Sequence, residues 1–254
     1  MTIVSIANQK GGVGKTTTAV NLASAMARTG KKILLVDFDP QANSTAGMGT
    51  EPEELGRSMS DVLLGEANIA DIIKETQIPG LFIAPSDFSL GNTEQKLIPM
   101  TWRETYLHKS ISSLTQYDYI FIDSHPSLGL LTVNAVFASD FILIPCDIGR
   151  YSLEGFGNLI NKITEVKGNG FDRKKQMRIF LTKFQSSAKV SNNWVFNQLK
   201  PYSDMLLKTR IRQNEALNQA AMLRKPIWLT KSKSPGAEDY GNLMKELTAL
   251  WQNQ

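Results

Sequence analysis

Cysteine is nearly absent: Cys146 stands alone in 254 residues. One thiol cannot close a disulfide within the chain, and it cannot hold a cysteine-bound cluster by itself. It sits in an apolar run and reads as an inert core thiol. Long apolar runs are missing too, since none approaches the ~20 residues that span a bilayer. The opening Met1-Thr2-Ile3-Val4 lacks the basic segment and apolar stretch of a signal peptide, and a strand pattern begins almost at once. That leaves no room for an N-terminal accessory domain, and these absences point to the cytoplasm. Internal repeats, low-complexity tracts and dividing linkers are lacking as well, so residues 1–254 are expected to form a single domain. Excess charge is also scarce. Lys and Arg number 28 against 24 Asp and Glu, a formal +4 with pI near 9.0, which permits contact with a polyanion without establishing one.

What is present is an alternation of apolar runs and helical spacing. Strands are expected over residues 2–8, 32–37, 81–85, 118–123, 141–145 and 177–182. Helices are expected over 17–28, 60–64, 69–74, 130–138 and 236–251, and a mostly helical stretch over 93–116 should break or kink at Pro99. Leu153, Phe156, Leu159, Ile160, Ile163 and Val166 make a further amphipathic stripe. Apolar strands separated by helices predict an α/β fold, a mainly parallel twisted sheet with helices on both faces. Functional residues should then lie in loops at the carboxyl ends of strands.

The first such loop is Gln9-Lys10-Gly11-Gly12-Val13-Gly14-Lys15-Thr16-Thr17. A glycine-rich turn between strand and helix, ending in Gly-Lys-Thr, wraps the phosphates of a nucleotide. Gly11, Gly12 and Gly14 let backbone N–H groups turn inward, and the following helix adds the positive end of its dipole. Lys15 neutralises terminal phosphates, and the Thr16 hydroxyl is placed to ligate Mg²⁺. Thr17 extends the cradle. Magnesium-dependent phosphate chemistry also calls for carboxylates. Asp123 closes the apolar strand Tyr119-Ile120-Phe121-Ile122, as expected of a residue that holds the magnesium shell through water. Asp37-Phe38-Asp39-Pro40-Gln41 follows the second strand and supplies another pair.

The spelling departs from the ordinary G-x-x-x-x-G-K-[ST] loop, with Gln9 in place of the first glycine and an extra lysine, Lys10. Lys-Gly-Gly-Val-Gly-Lys-Thr-Thr resembles the deviant Walker A loop of the ParA/MinD ATPases, a group of P-loop NTPases. Asp-Phe-Asp-Pro-Gln, with Asn43 and Ser44 behind it, matches the corresponding family segment. Ser124-His125-Pro126-Ser127-Leu128-Gly129 resembles another, with His125 where proline is usual. Ile211, Asn214, Leu217, Ala220, Lys225-Pro226-Ile227 and Ser234-Pro235-Gly236-Ala237 make the likeness closest to the ParA/Soj partition ATPases. The resemblance implies ATP and Mg²⁺ as ligands, Asp39 orienting the attacking water and touching the magnesium shell, and Asp37 supporting the loop. It implies that Lys10 reaches across an ATP-closed homodimer to the nucleotide of the other subunit. It further implies non-specific DNA binding by that dimer, association with the nucleoid, and stimulation by a ParB-type centromere-binding partner.

The DNA-binding segment departs from the family. The usual Pro-Arg-Asn-Val-Arg reads Arg212-Gln213-Asn214-Glu215-Ala216, and Lys208, Arg210, Arg212 and Arg224 stand as replacement charges. Lys189, Lys200 and Arg173-Lys174-Lys175 extend the basic surface. The alternative is a MinD-like membrane-positioning ATPase, which needs a basic amphipathic C-terminal helix. The tail from Met244 to Gln254 offers one lysine balanced by one glutamate, so no stable membrane association is expected. A ligase of the same fold would need a substrate pocket for which there is no marker. A cluster-bridged reductase would need two cysteines per subunit.

Overall fold

Runs of Val, Ile, Leu and Phe with little alternation demand burial on both faces, and the computed structural model places them at the centre of a sheet. It describes residues 1–149 and 155–252. The strands are β1 (Thr2–Ile6), β2 (Ile33–Phe38), β3 (Lys74–Glu75), β4 (Leu81–Ala84), β5 (Tyr119–Ser124), β6 (Phe141–Asp147), β7 (Met177–Phe184) and β8 (Leu206–Arg212). They form one sheet in the order β3-β4-β2-β5-β1-β6-β7-β8. All pairings are parallel except β3 with β4.

The helices are α1 (Lys15–Ala27), α2 (Asn43–Gly47), α3 (Met59–Leu64), α4 (Ile69–Ile72), α5 (Ser89–Leu97), α6 (Tyr106–Ile111) and α7 (Leu130–Ala138). They continue with α8 (Phe156–Lys167), α9 (Arg173–Gln176), α10 (Lys189–Leu199), α11 (Glu215–Met222), α12 (Ile227–Thr230) and α13 (Pro235–Gln252). Successive strand residues point to opposite faces, so β2 sends Ile33 and Leu35 one way and Leu34, Val36 and Phe38 the other. On the first face Leu22 and Met26 of α1 pack with Tyr240, Leu243 and Leu247 of α13. The second face carries two cores, one under α3, α5, α6 and α7 and one under α8 and α10. The expected parallel α/β architecture is present.

The helical run expected over 93–116 is two helices. α5 stops at Leu97 and α6 starts at Tyr106, with Pro99, which has no N–H to donate, in the gap. Leu153 of the expected amphipathic stripe lies outside the described residues, and the rest of that stripe falls in α8. β8 and α10 escape a sequence reading. β8 reads Leu-Leu-Lys-Thr-Arg-Ile-Arg, and its cations mask a strand whose Leu207 and Ile211 are buried.

β8 is an edge strand, and α13 seals it. The Glu246 carboxylate accepts the backbone N–H groups of Lys208 and Thr209 at 2.8 and 2.9 Å. About two turns earlier on the same face of α13, Asp239 accepts the Arg212 N–H at 2.8 Å and its guanidinium at 2.7 to 3.0 Å. Capping a free edge in this way blocks pairing with another chain. Asp239 is buried whereas the Arg212 side chain is 45% exposed, so the pair is worth less than a fully desolvated one. Arg212→Ala is expected to cost roughly 1–3 kcal/mol by leaving a buried carboxylate short of its cation. Thermal melting checks this at roughly 2–4 °C per kcal/mol for a chain of this size. Adding Asp239→Asn to Arg212→Ala should recover part of the loss.

Candidate functional site

Parallel register gathers the site. Ile6 at the end of β1 lies beside Asp123 of β5, and Asp37 of β2 lies beside the same Asp123. The loops after β1, β2 and β5 therefore open on one carboxyl edge, next to the point where the chain crosses from β5 on one side of β1 to β6 on the other. The glycine-rich loop is fastened at both ends. Asn8 donates its side-chain amide to the Pro145 carbonyl at 2.8 Å and accepts the Lys10 N–H at 3.0 Å. The buried Val13 gives its carbonyl to the Thr182 hydroxyl at 2.8 Å. Gly12 and Gly14 have φ of +74° and +93°, a region that side-chain-bearing residues avoid. Apart from chain neighbours, no atom lies within 4 Å of the place a Cβ would take at Gly11 or Gly12, so the loop is uncrowded at both. α1 begins directly at Lys15, so its unpaired N-terminal N–H groups face the same loop.

The charges around this loop are buried and crowded. Lys15 donates to the Lys10 carbonyl at 3.0 Å, and burial lowers its pKa against the opposing pull of Asp123 and Asp39. Asp123 accepts the Ser44 hydroxyl on Oδ2 at 2.7 Å, and the Thr16 hydroxyl lies near the same carboxylate. Burial pushes its carboxyl pKa up, and those two hydroxyls oppose the shift. Asp37 accepts the Thr45 N–H and hydroxyl at 2.7 and 2.8 Å; burial, then the neighbouring Asp123, push its pKa up as well. Asp39 accepts the Gln41 N–H on Oδ1 at 3.0 Å and lies 3.0 Å from His125 Nδ1.

Oxygen Oδ1 of Asp123 is buried and has no hydrogen-bond partner. With the Thr16 hydroxyl beside the same carboxylate, this is a hard-oxygen donor set short of a cation, and it fits Mg²⁺. Among the described residues no group of three or more His, Cys, Asp or Glu could hold a metal by itself. That agrees with an ion that takes one or two protein oxygens and completes its shell with water and phosphate. Lys10 lies on the β6 side, its Nζ 3.4 Å from Asp147 Oδ2 and its side chain one-third exposed.

Some lining residues carry no local signal in the sequence. A cavity of about 270 Å³ adjoins Gly14 and Thr17 and is walled by Thr182, Lys183, Gln213, Asn214 and Tyr240. These come from the ends of β7 and β8 and from α13, and only sheet order joins them to the loop.

Lys208, Arg210 and Arg212 alternate along one exposed face of β8. Arg210 stacks on Phe184 and Phe196 at 4.6 and 4.7 Å from the ring centroids. Arg212 is held by Asp239 and Glu238, and Arg224 pairs with Glu51. Arg224 also takes a left-handed φ of +52° just after α11. The structure thus groups three of the four candidate cations, and two of the four are already paired within the chain.

The sequence profile described as AAA domain matches residues 1–179. The sporulation initiation inhibitor protein Soj of Bacillus subtilis is 40% identical over 248 residues, covering 97% of this chain and 98% of that protein. The chromosome partitioning protein ParA of Myxococcus xanthus is 37% identical, covering 96% of this chain and 87% of its own length. A crystal structure of cobyrinic acid a,c-diamide synthase from Mycobacterium smegmatis, with an ATP analogue and magnesium bound, superposes with a TM-score of 0.86. Its identity is 27%, with 99% of this chain and 95% of that one covered. The fold is thus shared with a biosynthetic enzyme, while the sequence sides with the partition proteins: this chain belongs to the ParA/Soj family of partition ATPases.

Proposed function

We infer that this protein is an ATP-driven dimerising switch for chromosome or plasmid partition. In this reading it hydrolyses ATP with Mg²⁺, works in the cytoplasm and on the nucleoid, and binds DNA without sequence preference as the ATP-bound dimer. A ParB-type partner speeds hydrolysis. The observation that carries the reading is the meeting of Lys15, Thr16, Asp39 and Asp123 on one carboxyl edge, with an unpartnered carboxylate oxygen among them.

Lys15 neutralises the terminal phosphates, and the α1 N-terminus and the turned-in N–H groups of the loop hold their oxygens. Thr16 and Asp123 hold Mg²⁺, which when bound supplies positive charge where negative charge grows on the transferred phosphoryl group. Asp39 orients the attacking water, and the base rests in the cavity walled by Thr182 and Asn214. Lys10 leaves Asp147 to reach the nucleotide of the second subunit, so that ATP joins the dimer and cleavage releases it. Little covalent chemistry is asked of the protein; placement and charge neutralisation lower the barrier. The membrane alternative is less well supported because α13 lays its apolar face on the sheet. Trp251 sits 5.5 Å from the rings of both Tyr119 and Phe141. Among the described residues no helix is long and apolar enough to cross a membrane.

Lys15→Ala is expected to lose nucleotide binding. Lys10→Ala should bind ATP yet stay monomeric, and Asp39→Ala should persist as an ATP-bound dimer. Equilibrium binding of a fluorescent ATP analogue reads the affinities, and light scattering coupled to size exclusion, run with ATP and Mg²⁺ and again after chelation, reads the masses; a Lys10→Ala dimer formed normally with ATP would sink the cross-subunit assignment.

DNA binding should require ATP and fall with salt at a log–log slope near −4 if about four phosphates are contacted. Lys208→Ala should reduce that slope by about one. A flat salt response, or pelleting with liposomes in place of DNA, would count against the DNA-carrier reading.

A further inference from the structure

His125 follows two residues after Asp123, in the turn that leaves β5. Its backbone is held firmly: the carbonyl accepts the Thr132 hydroxyl at 3.0 Å and the Ser127 N–H at 2.9 Å. That anchoring carries the ring to Asp39, where Nδ1 stands 3.0 Å from Oδ1. The His125 side chain is 27% exposed and the Asp39 carboxylate 7%, so the contact is largely shielded from water.

The two oxygens of Asp39 are treated differently. Oδ1 accepts the Gln41 N–H and lies 3.0 Å from the imidazole Nδ1, which carries the hydrogen when it faces an ionised carboxylate, whereas Oδ2 takes no hydrogen bond among the described residues. A carboxylate turns about its terminal bond with little resistance, because that torsion is broad. Two donors from different loops, converging on one oxygen, stop this turning. They leave the other oxygen as the only one open to a further partner. The Gln41 N–H belongs to the same turn as Asp39 and moves with it. The imidazole comes from the β5 loop, so it ties the β2 loop to the strand end that bears Asp123. A proline at this position, as in the segment that this one resembles, has no side-chain donor to offer.

We propose that His125 is a positioning residue for hydrolysis: its Nδ1–H fixes the Asp39 carboxylate so that Oδ2 alone meets the attacking water. The proposal rests on the ATPase reading above. It predicts an effect on the cleavage step and not on nucleotide affinity, because among the described residues the His125 ring hydrogen-bonds Asp39 and neither Lys15 nor Thr16.

Three substitutions test it. His125→Ala removes the donor, His125→Asn keeps an N–H at the place of Nδ1, and His125→Gln moves it out to the place of Nε2. Single-turnover cleavage should slow by about 10- to 100-fold in the Ala and Gln variants, the size expected when a reacting group loses its placement. ATP affinity should stay within twofold, the mass with ATP should remain that of a dimer, and the Asn variant should regain most of the rate. In an Asp39→Ala background, His125→Ala should have no further effect. Ring-nitrogen NMR of the nucleotide-free protein gives a readout that needs no activity: a slowly exchanging Nδ1 proton in the wild type, lost in Asp39→Ala. Wild-type cleavage by His125→Ala, a loss confined to ATP affinity, failure of the Asn variant to recover, or no protected Nδ1 proton would each overturn the proposal. If the wild type neither binds nor cleaves ATP, the ATPase reading itself fails, and the NMR result separates that failure from this one.

Discussion

The constraint on which the site depends is the burial of two carboxylates side by side. Asp37 and Asp123 occupy neighbouring register positions on β2 and β5, both shielded from water. Burial disfavours the charge of both, Asp123 adds to the cost at Asp37, and Asp39 adds to the cost at Asp123. Neither would be tolerated there without partners, and the partners are hydroxyls and N–H groups drawn from two loops. Thr45 serves Asp37, while Ser44 and Thr16 serve Asp123. The first turn of α2 is thus built around the acids, and a change at either acid is felt in the loop that carries Asp39.

This arrangement leaves negative charge incompletely matched. Lys15 is the nearest buried cation, and it is turned back onto the Lys10 carbonyl. One oxygen of Asp123 has no donor at all. A magnesium–nucleotide complex would bring a dication for the orphaned oxygen and anions for Lys15 and the α1 N-terminus, relieving both imbalances together. Among the described residues no cage of metal-binding side chains surrounds the site. The protein presents a few oxygens, and the substrate supplies the rest.

The far edge of the sheet shows how charge counting misleads when partners are unknown. β8 carries three cations, yet the guanidinium of Arg212 closes on Asp239 and Glu238 and helps α13 to cap the strand. Arg224 is likewise paired, with Glu51. A basic residue at an edge can serve the fold and a polyanion alike, and only its neighbours tell how much charge is left over for a ligand.

Sequence by itself determined six of the eight described strands and the three longest helices, because buried parallel strands and amphipathic helices have periods that are read locally. It also marked the glycine-rich loop, Asp39 and Asp123 as candidates, the loop and Asp123 because they follow or close apolar runs, and Asp39 through the spelling Asp-Phe-Asp-Pro-Gln. It did not reveal β8, whose cations hide the two buried residues that make it a strand, nor the cavity between Thr182 and Asn214. Those depend on which strands become neighbours, and neighbour choice is settled by packing across residues far apart in the chain. The meeting of His125 with Asp39 is of that kind. They are separated by 86 positions, and only the pairing of β2 with β5 brings an imidazole within hydrogen-bonding distance of that carboxylate.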